Sequence, residues 1–168
     1  MLSRIKPSLT RLATLLLLLT LGACGWQLRG YEPGVAYSES SFNQLKITTT
    51  SRDNAFFRRF NAALKRNNIE INDDATSVLE LFKEQIDRKP LAYNRIGTPS
   101  QYKLSLSIEY QFKNNDEVLI ARTRINSRRN YDFDENLIIA KDREQEALIR
   151  EMRDELSQRI ISMIRSKI

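Results

Sequence analysis

Histidine is absent from the 168-residue sequence, and cysteine and glycine are scarce, with one and five copies. Without histidine, neither a Ser-His-Asp nor a Cys-His catalytic arrangement can form, and metal sites built on imidazole are excluded as well. The single cysteine, Cys24, leaves no partner for a disulfide within the chain. No glycine-rich phosphate loop is present. These absences argue against an enzyme, and we expect neither a cofactor nor a metal.

The first 23 residues have the organisation of a bacterial export signal. Three basic residues precede an apolar run from Leu12 to Leu21. A run of this length is shorter than the ~20 residues that a membrane-spanning helix needs. The sequence Leu21-Gly22-Ala23-Cys24 then places small residues directly before the cysteine. This pattern predicts a lipoprotein signal peptide, residues 1–23, that is cleaved before Cys24. A plain secretory leader followed by a free cysteine is the alternative.

Cys24 is the expected lipid attachment site. Its thiol can carry a diacylglycerol, and the amine that cleavage exposes can carry an N-palmitoyl chain. At ~0.8 kcal/mol per buried CH2, one chain holds a protein only marginally, whereas three together anchor it almost permanently. Gly25 rather than Asp follows the cysteine, so nothing obvious retains the lipoprotein at the inner membrane. We therefore expect a lipid anchor in the outer membrane, on the periplasmic side.

Net charge does not predict nucleic-acid binding. The sequence has 27 basic and 21 acidic residues and a pI of about 9.6. The predicted leader contains three of the basic residues and none of the acidic ones, which leaves 24 against 21. Half of the excess charge is thus removed with the leader, and export separates the protein from the genome.

Hydrophobic periodicity divides the mature chain into a tether and one domain. Residues 24–43, rich in Gly, Ser and Glu, are predicted to be a lipidated tether, and residues 44–168 suit a single domain. Alternation of apolar and polar residues predicts strands, and apolar residues four apart predict helices. The predicted strands are residues 44–50, 69–71, 77–86, 101–113 and 118–129, and the predicted helices, the first capped by Ser51 or Asp53, are residues 54–67 and 141–166.

Two of these segments determine the predicted architecture. In residues 101–113 every even position is apolar and every odd position is polar, which gives one core face and one polar face. In the last helix, Leu148 begins a series of apolar residues at strict four-residue spacing. The predicted fold class is α+β, a two-layer sandwich with two amphipathic helices packed on one face of a four-stranded mixed sheet. The opposite face is predicted to be open and polar, meeting either water or a partner protein.

Acidic clusters are weak candidates for chemistry. Asp73 and Asp74 form one cluster, and Asp132, Asp134 and Glu135 form the other. Both fall in predicted turns, which favours a turn role over acid–base or calcium chemistry, and the second lacks the glycine and terminal Glu of an EF-hand loop.

Basic residues are the better lead. Arg95 and Lys141 lie at predicted loop ends, and a group of arginines lies on the strand 118–129. Arginine binds phosphate as a bidentate fork and lysine binds it as a point charge. In the outer membrane, the abundant phosphorylated ligand is the lipid A part of lipopolysaccharide. Solvated surface arginines remain the alternative for each one, and no role is assigned to the strand group, Arg122, Arg124, Arg128 and Arg129.

Three short motifs, in this order, resemble the LptE family of lipopolysaccharide-assembly lipoproteins. They are Cys24-Gly25-Trp26-Gln27-Leu28-Arg29, the strand opening Gln101-Tyr102, and Ala140-Lys141-Asp142-Arg143-Glu144-Gln145. The resemblance extends over essentially the whole chain, including element order. Gln27 and Arg143 depart from the His and Asn that the family often has at these places.

The resemblance implies a partner, a ligand and two binding residues. The family is similar in fold to the predicted sandwich and sits as a plug in the lumen of the large outer-membrane β-barrel LptD. The pair is implied to place lipopolysaccharide in the outer leaflet. Arg95 and Lys141 match the family's basic lipopolysaccharide-contacting positions.

Two other function classes stay open. One is a generic accessory lipoprotein of another outer-membrane complex, such as a secretin pilot or a barrel-assembly subunit. The other is a periplasmic hydrolase using Asp132 and Asp134, for which the sequence offers no supporting base or oxyanion donor.

Overall fold

The computed structural model describes residues 42–49 and 54–168. Within these ranges the chain forms a five-stranded sheet, two α-helices and one short 3-10 helix (Glu135–Leu137). The strands are β1 (Gln44–Thr49), β2 (Glu70–Ile71), β3 (Ser77–Tyr93), β4 (Pro99–Asn114) and β5 (Glu117–Asp132), and the helices are α1 (Ala55–Arg66) and α2 (Ile138–Arg165).

Local sequence explains where α1 begins and which face it buries. The side-chain oxygen of Asn54 accepts a hydrogen bond from the backbone N–H of Phe57 at 2.6 Å, so Asn54 is the N-cap. The predicted caps Ser51 and Asp53 lie outside the described residues. Phe56 and Phe60, one turn apart, are buried with their rings stacked at 5.9 Å.

The sheet is mixed, with the strand order β2-β1-β3-β4-β5. β1 runs parallel to β2 and β3, whereas β3, β4 and β5 pair antiparallel. The β4–β5 hairpin closes through Asn115 and Asp116, both with positive φ, the conformation of a two-residue primed turn. The turn lies between the two strands predicted at residues 101–113 and 118–129.

One hydrophobic core lies between the sheet and both helices. Its β4 residues are at even positions, from Leu104 to Phe112, and its α2 residues include Met152, Leu156 and Ile160. Both helices therefore cover the same face of the sheet, as the periodicity predicts. We call the opposite face the open face; it carries the odd-numbered residues of β4 and their neighbours on β3 and β5, and no described element packs on it.

The sheet differs from the prediction in strand number and in the length of β3. The sheet has five strands rather than the predicted four, because the short strand predicted at residues 69–71, which is β2, joins the sheet edge by pairing with β1. β3 continues seven residues beyond the predicted end at Ile86, through the polar sequence around Pro90, because β4 supplies a hydrogen-bonded neighbour. β1 pairs with β3 only from Val78 to Leu81, so Pro90 lies where β3 is an edge strand and needs no second partner.

Candidate functional site

Arg95 lies at the tip of the β3–β4 hairpin, in a tightly hydrogen-bonded turn. The side-chain oxygen of Asn94 accepts hydrogen bonds from the backbone N–H groups of Ile96 at 3.1 Å and Thr98 at 2.9 Å. Gly97 has φ +83°, which a residue with a Cβ adopts only with strain. The turn holds Arg95 exposed, and its guanidinium has no hydrogen-bond or ion-pair partner within residues 42–49 and 54–168.

Lys141 lies in the first turn of α2 and is surrounded by acidic side chains. Its ammonium group donates a hydrogen bond to a carboxylate oxygen of Glu144 at 2.9 Å. This bond, with the negative charges of Glu144, Asp132 and Asp134, raises the pKa of Lys141 above its ordinary value against a smaller opposing effect of burial. A cation at a helix N-terminus is disfavoured by the helix dipole, and these carboxylates compensate for it. The Lys141 side chain is 19% exposed, so its charge remains within reach of a ligand.

The two predicted binding residues lie at the same end of the molecule without touching. Asp132, whose negative charge helps to raise the pKa of Lys141, is the last residue of β5. Its carboxylate accepts a hydrogen bond from the Gln101 side-chain amide at 3.0 Å. Two residues before Gln101 on β4, Pro99 pairs with Tyr93, directly below the turn that carries Arg95. The end of β5 and the start of α2 therefore lie beside the base of the hairpin tip, and Arg95 projects beyond them.

Large apolar side chains are exposed at this same end. Ile96, next to Arg95, is 79% exposed, and Ile139, two residues before Lys141, is 69% exposed. Burying such side chains would contribute roughly 1.5–3 kcal/mol each. We call this end of the molecule the apolar end. Its exposed hydrophobic residues are Leu91, Tyr93 and Ile96 of the hairpin and Leu137, Ile138 and Ile139 at the start of α2.

An aromatic group connects the apolar end to the core. The Tyr102 ring stacks on Tyr131 at 5.9 Å and meets Phe133 edge-on at 5.3 Å. The Arg88 guanidinium lies 4.5 Å from the centre of the Tyr102 ring and donates a hydrogen bond to Gln145 of α2 at 2.9 Å. Sequence reasoning missed the role of Arg88, because its partners come from distant parts of the chain.

The arginines of β5 divide between the two faces of the sheet. Arg122 and Arg124 lie on the open face and both bind the carboxylate of Glu109 on β4. Their hydrogen bonds, chiefly that of Arg122, lower the pKa of Glu109. Arg129 lies on the helix face and binds Glu155 of α2 at 2.8 Å. An uninterrupted register from the Asn114–Glu117 pair would place Glu109 opposite Arg122, and the two register shifts between β4 and β5 place it opposite Arg124 instead.

The acidic clusters lie in or beside turns, and the Asp134 carboxylate has a structural role. Asp134 caps the 3-10 helix, accepting a hydrogen bond from the backbone N–H of Asn136 at 2.9 Å. The backbone N–H of Asp74 donates to the side-chain oxygen of Asn72 in the turn before β3. Residues 42–49 and 54–168 hold no group of three acidic or thiol side chains placed to bind a metal. Cys24 and the predicted signal peptide lie outside the described residues.

Neither described helix is both long and apolar enough to cross a membrane.

Comparison with known proteins identifies the family. The LptE family model, described as lipopolysaccharide-assembly, matches residues 42–164. The LPS-assembly lipoprotein LptE of Photorhabdus laumondii is 28% identical over 161 residues, which covers 93% of this chain and 84% of that protein.

Solved structures share the fold. The crystal structure of rare lipoprotein B from Shewanella oneidensis superposes with a TM-score of 0.67 at 29% identity and covers 74% of this chain and 95% of that one. A minor lipoprotein from Acinetobacter baumannii has a TM-score of 0.57 at 17% identity, over 71% of this chain and 87% of that one. Since the family model spans well over half of the sequence, this chain belongs to the LptE family of non-enzymatic lipopolysaccharide-assembly lipoproteins.

Proposed function

We propose that this envelope lipoprotein works with a large β-barrel of the LptD type to place lipopolysaccharide in the outer leaflet of the outer membrane. In this proposal the chain is anchored through lipid on Cys24 at the periplasmic side, and its folded domain occupies the barrel lumen. There it acts as a plug, as a folding aid for the barrel and as a lipopolysaccharide-binding subunit. Family membership supports the role in lipopolysaccharide assembly.

The observation that carries the ligand-binding part is the composition of the apolar end. Lipid A combines phosphate groups with acyl chains, so a surface that binds it needs cations beside exposed hydrocarbon. Arg95 lies next to the exposed Ile96, and Lys141 follows the exposed Ile139 in the first turn of α2. Arg95 can bind a phosphate without breaking an existing bond. Lys141 would bind a phosphate either in place of Glu144 or together with it.

The polarity of the open face supports the proposal that the domain plugs the barrel lumen. Membrane barrels are polar inside, and along β4 the open face presents Ser and charged side chains rather than hydrocarbon. Docking this face against a polar lumen wall would leave few apolar groups against water and few polar groups unpaired.

The ligand-binding part is tested with a pair of charge-matched variants. R95Q/K141Q removes two cations from the apolar end, and K65Q/R66Q removes two from the last turn of α1. That turn lies beside the far end of α2, since Arg165 donates to the Asn67 side chain at 3.1 Å. The 24 residues of helix between Lys141 and Arg165 span about 36 Å.

Lipopolysaccharide affinity of the full chain is the measurement, with circular dichroism as the check on folding. We expect R95Q/K141Q to bind at least tenfold more weakly and K65Q/R66Q to bind as the parent does. A folded R95Q/K141Q protein that binds lipopolysaccharide with the parent's affinity would overturn the assignment of these two residues.

The partner is tested by affinity purification of the tagged protein from outer membranes, followed by mass spectrometry. A large β-barrel at one-to-one stoichiometry, together with lipopolysaccharide, is the expected result. Recovery of a secretin or of a barrel-assembly complex in its place would contradict the plug and favour an accessory role elsewhere.

A further inference from the structure

The open face, which the proposed function docks against a barrel wall, contains a group of charged side chains to which that function assigns no ligand. Arg122 donates to one oxygen of the Glu109 carboxylate through Nε at 3.2 Å and Nη2 at 2.7 Å. Arg124 donates to the other oxygen through Nε at 3.1 Å and through Nη2. Each carboxylate oxygen therefore accepts two hydrogen bonds, from Nε and Nη2 of one arginine. These bonds hold the two arginines side by side.

Aromatic contact and donor geometry leave these arginines ready for a ligand. The Arg122 guanidinium lies 4.1 Å from the centre of the Phe82 ring, which fixes its plane. A guanidinium has five N–H donors, and Glu109 uses two from each arginine. Both side chains are more than half exposed, so a ligand can reach them, and the bonds to Glu109 restrict their conformational freedom before it arrives.

Lys83 gives the group a net positive charge. It lies in β3 at the register shift between Leu81 and Glu84 and has no ion-pair or hydrogen-bond partner among the described residues. Three cations against one carboxylate leave a charge of +2, and the lowered pKa of Glu109 keeps that carboxylate ionised at neutral pH. A phosphomonoester carries about −1.5 to −2 at pH 7, which matches this charge.

The group lines a shallow cavity that also offers neutral hydrogen-bonding groups. Its volume is about 240 Å³, and it is lined by Lys83, Gln85, Ser107, Glu109, Arg122 and Arg124. The Ser107 hydroxyl and the Gln85 amide suit the hydroxyl groups of a sugar, and Gln85 is oriented by a hydrogen bond to Asp87 at 3.0 Å. The cavity is smaller than a pocket for a drug-sized ligand, and a single sugar ring with one phosphate suits it.

We propose that this cavity is a binding site for a phosphorylated sugar, separate from Arg95 and Lys141. Glu109 lies eight residues along β4 from Gln101, which is about 26 Å at ~3.3 Å per residue, and Arg95 lies beyond Gln101. One ligand head group cannot contact both sites. The site is tested on the chain without a barrel, so its failure is distinguishable from failure of the plug or of the apolar end.

Calorimetric titration of the full chain with glucose 1-phosphate tests the site, with glucose and inorganic phosphate as comparison ligands. The variant K83Q/E109Q/R122Q/R124Q removes three cations and one anion, so its net charge falls by two and no carboxylate is left unpaired. The control K89Q/K103Q also lowers the charge by two and changes a lysine pair opposed across β3 and β4. R122K/R124K keeps the charge and removes the guanidinium forks.

The expected result is that glucose 1-phosphate binds more tightly than either comparison ligand. The quadruple variant should lose at least tenfold in affinity and R122K/R124K several-fold, whereas K89Q/K103Q should stay within twofold of the parent. Equal losses in K89Q/K103Q and the quadruple variant would mean diffuse attraction and overturn the site. Inorganic phosphate binding as tightly as glucose 1-phosphate would overturn the sugar assignment. If hexaglutamate bound more tightly than glucose 1-phosphate and lost its affinity in the quadruple variant, the site would instead be one for an acidic protein surface.

Discussion

Arg153 of α2 binds Glu84 of β3, with Nε 2.7 Å from one carboxylate oxygen and Nη2 3.3 Å from the other. The two side chains are 15% and 13% exposed, the least exposed ion pair among the described residues. The pair joins the last helix to the sheet at the register shift in β3. We expect either single variant, E84A or R153A, to lower the free energy of unfolding by about 2 kcal/mol, between the values typical of exposed and fully buried pairs.

A double-mutant cycle in urea separates this pair from the packing of its side chains. The double variant E84A/R153A should lose less than the sum of the two single losses, because it leaves no uncompensated charge. The exposed pair of Arg150 and Glu146 is the control, and its cycle should give a coupling energy under about 0.5 kcal/mol. Strictly additive losses for Glu84 and Arg153 would contradict the prediction.

Acid should weaken the contact between β5 and α2 through Glu155. Burial raises the pKa of Glu155, but hydrogen bonds from Ser127 and Arg129 outweigh it, so the pKa lies below its ordinary value of 4.5. In the range between the folded and unfolded pKa values the unfolded state binds more protons, so stability rises with pH there. The contribution is therefore complete above about pH 4.5 to 5 and is lost as the pH falls through the lowered pKa.

Urea unfolding of the parent and of E155Q at several pH values between 7 and 3 checks this contribution. The difference in unfolding free energy between the two proteins should be largest near neutral pH and shrink toward pH 3. Parallel pH profiles would show that Glu155 does not contribute in this way.

At Gly97 there is space for a methyl group, but the backbone conformation is unfavourable for alanine. A Cβ built there meets no atom within 4 Å, while φ is +83°. We expect G97A to destabilise the domain by about 1 kcal/mol, since only the backbone conformation is strained. G97N should lose less, because asparagine enters the left-handed region more readily. Thermal unfolding of both variants is the measurement, and equal losses would point to another cause.

Substitution of two apolar residues of α2 should affect different properties, one the stability of the domain and the other its binding of lipopolysaccharide. Leu156 is fully buried, and L156A should cost roughly 2–5 kcal/mol of unfolding free energy. Ile139 is 69% exposed, so I139A should change stability by less than about 0.5 kcal/mol. Under the proposed function I139A nevertheless weakens lipopolysaccharide binding. Unchanged binding in I139A would argue against a hydrocarbon contact at the apolar end.

Several features were predictable because their signals are local. The alternation in β4 predicted which of its side chains are buried, from Leu104 to Phe112, and the four-residue spacing in α2 predicted Met152, Leu156 and Ile160. The capping oxygen of α1 belongs to Asn54, which is itself within the predicted helix. Helix boundaries were less accurate than helix faces, because capping depends on one side-chain geometry and burial depends on many residues.

Arg95 and Lys141 were named from sequence, but their surroundings were not. Sequence placed both at loop ends; the exposed hydrophobic residues around them come from two segments that the hairpin and α2 bring to one end of the molecule. Glu144 lies only three residues from Lys141 and was predictable as a helix neighbour. Asp132 and Asp134 reach Lys141 only because β5 ends beside the start of α2.

Local sequence signals were sufficient to indicate the family, the two helices, the strands of the β4–β5 hairpin and the division of β4 into an apolar and a polar face. Each of these depends on a local repeat or a short motif. Tertiary contacts settled three further features: the short strand predicted at residues 69–71 joins the sheet as a fifth strand, β3 extends to Tyr93, and one carboxylate, Glu109, holds two arginines. These features need partners distant in sequence, and which partners meet is set by strand register and by the packing of α2 on the sheet.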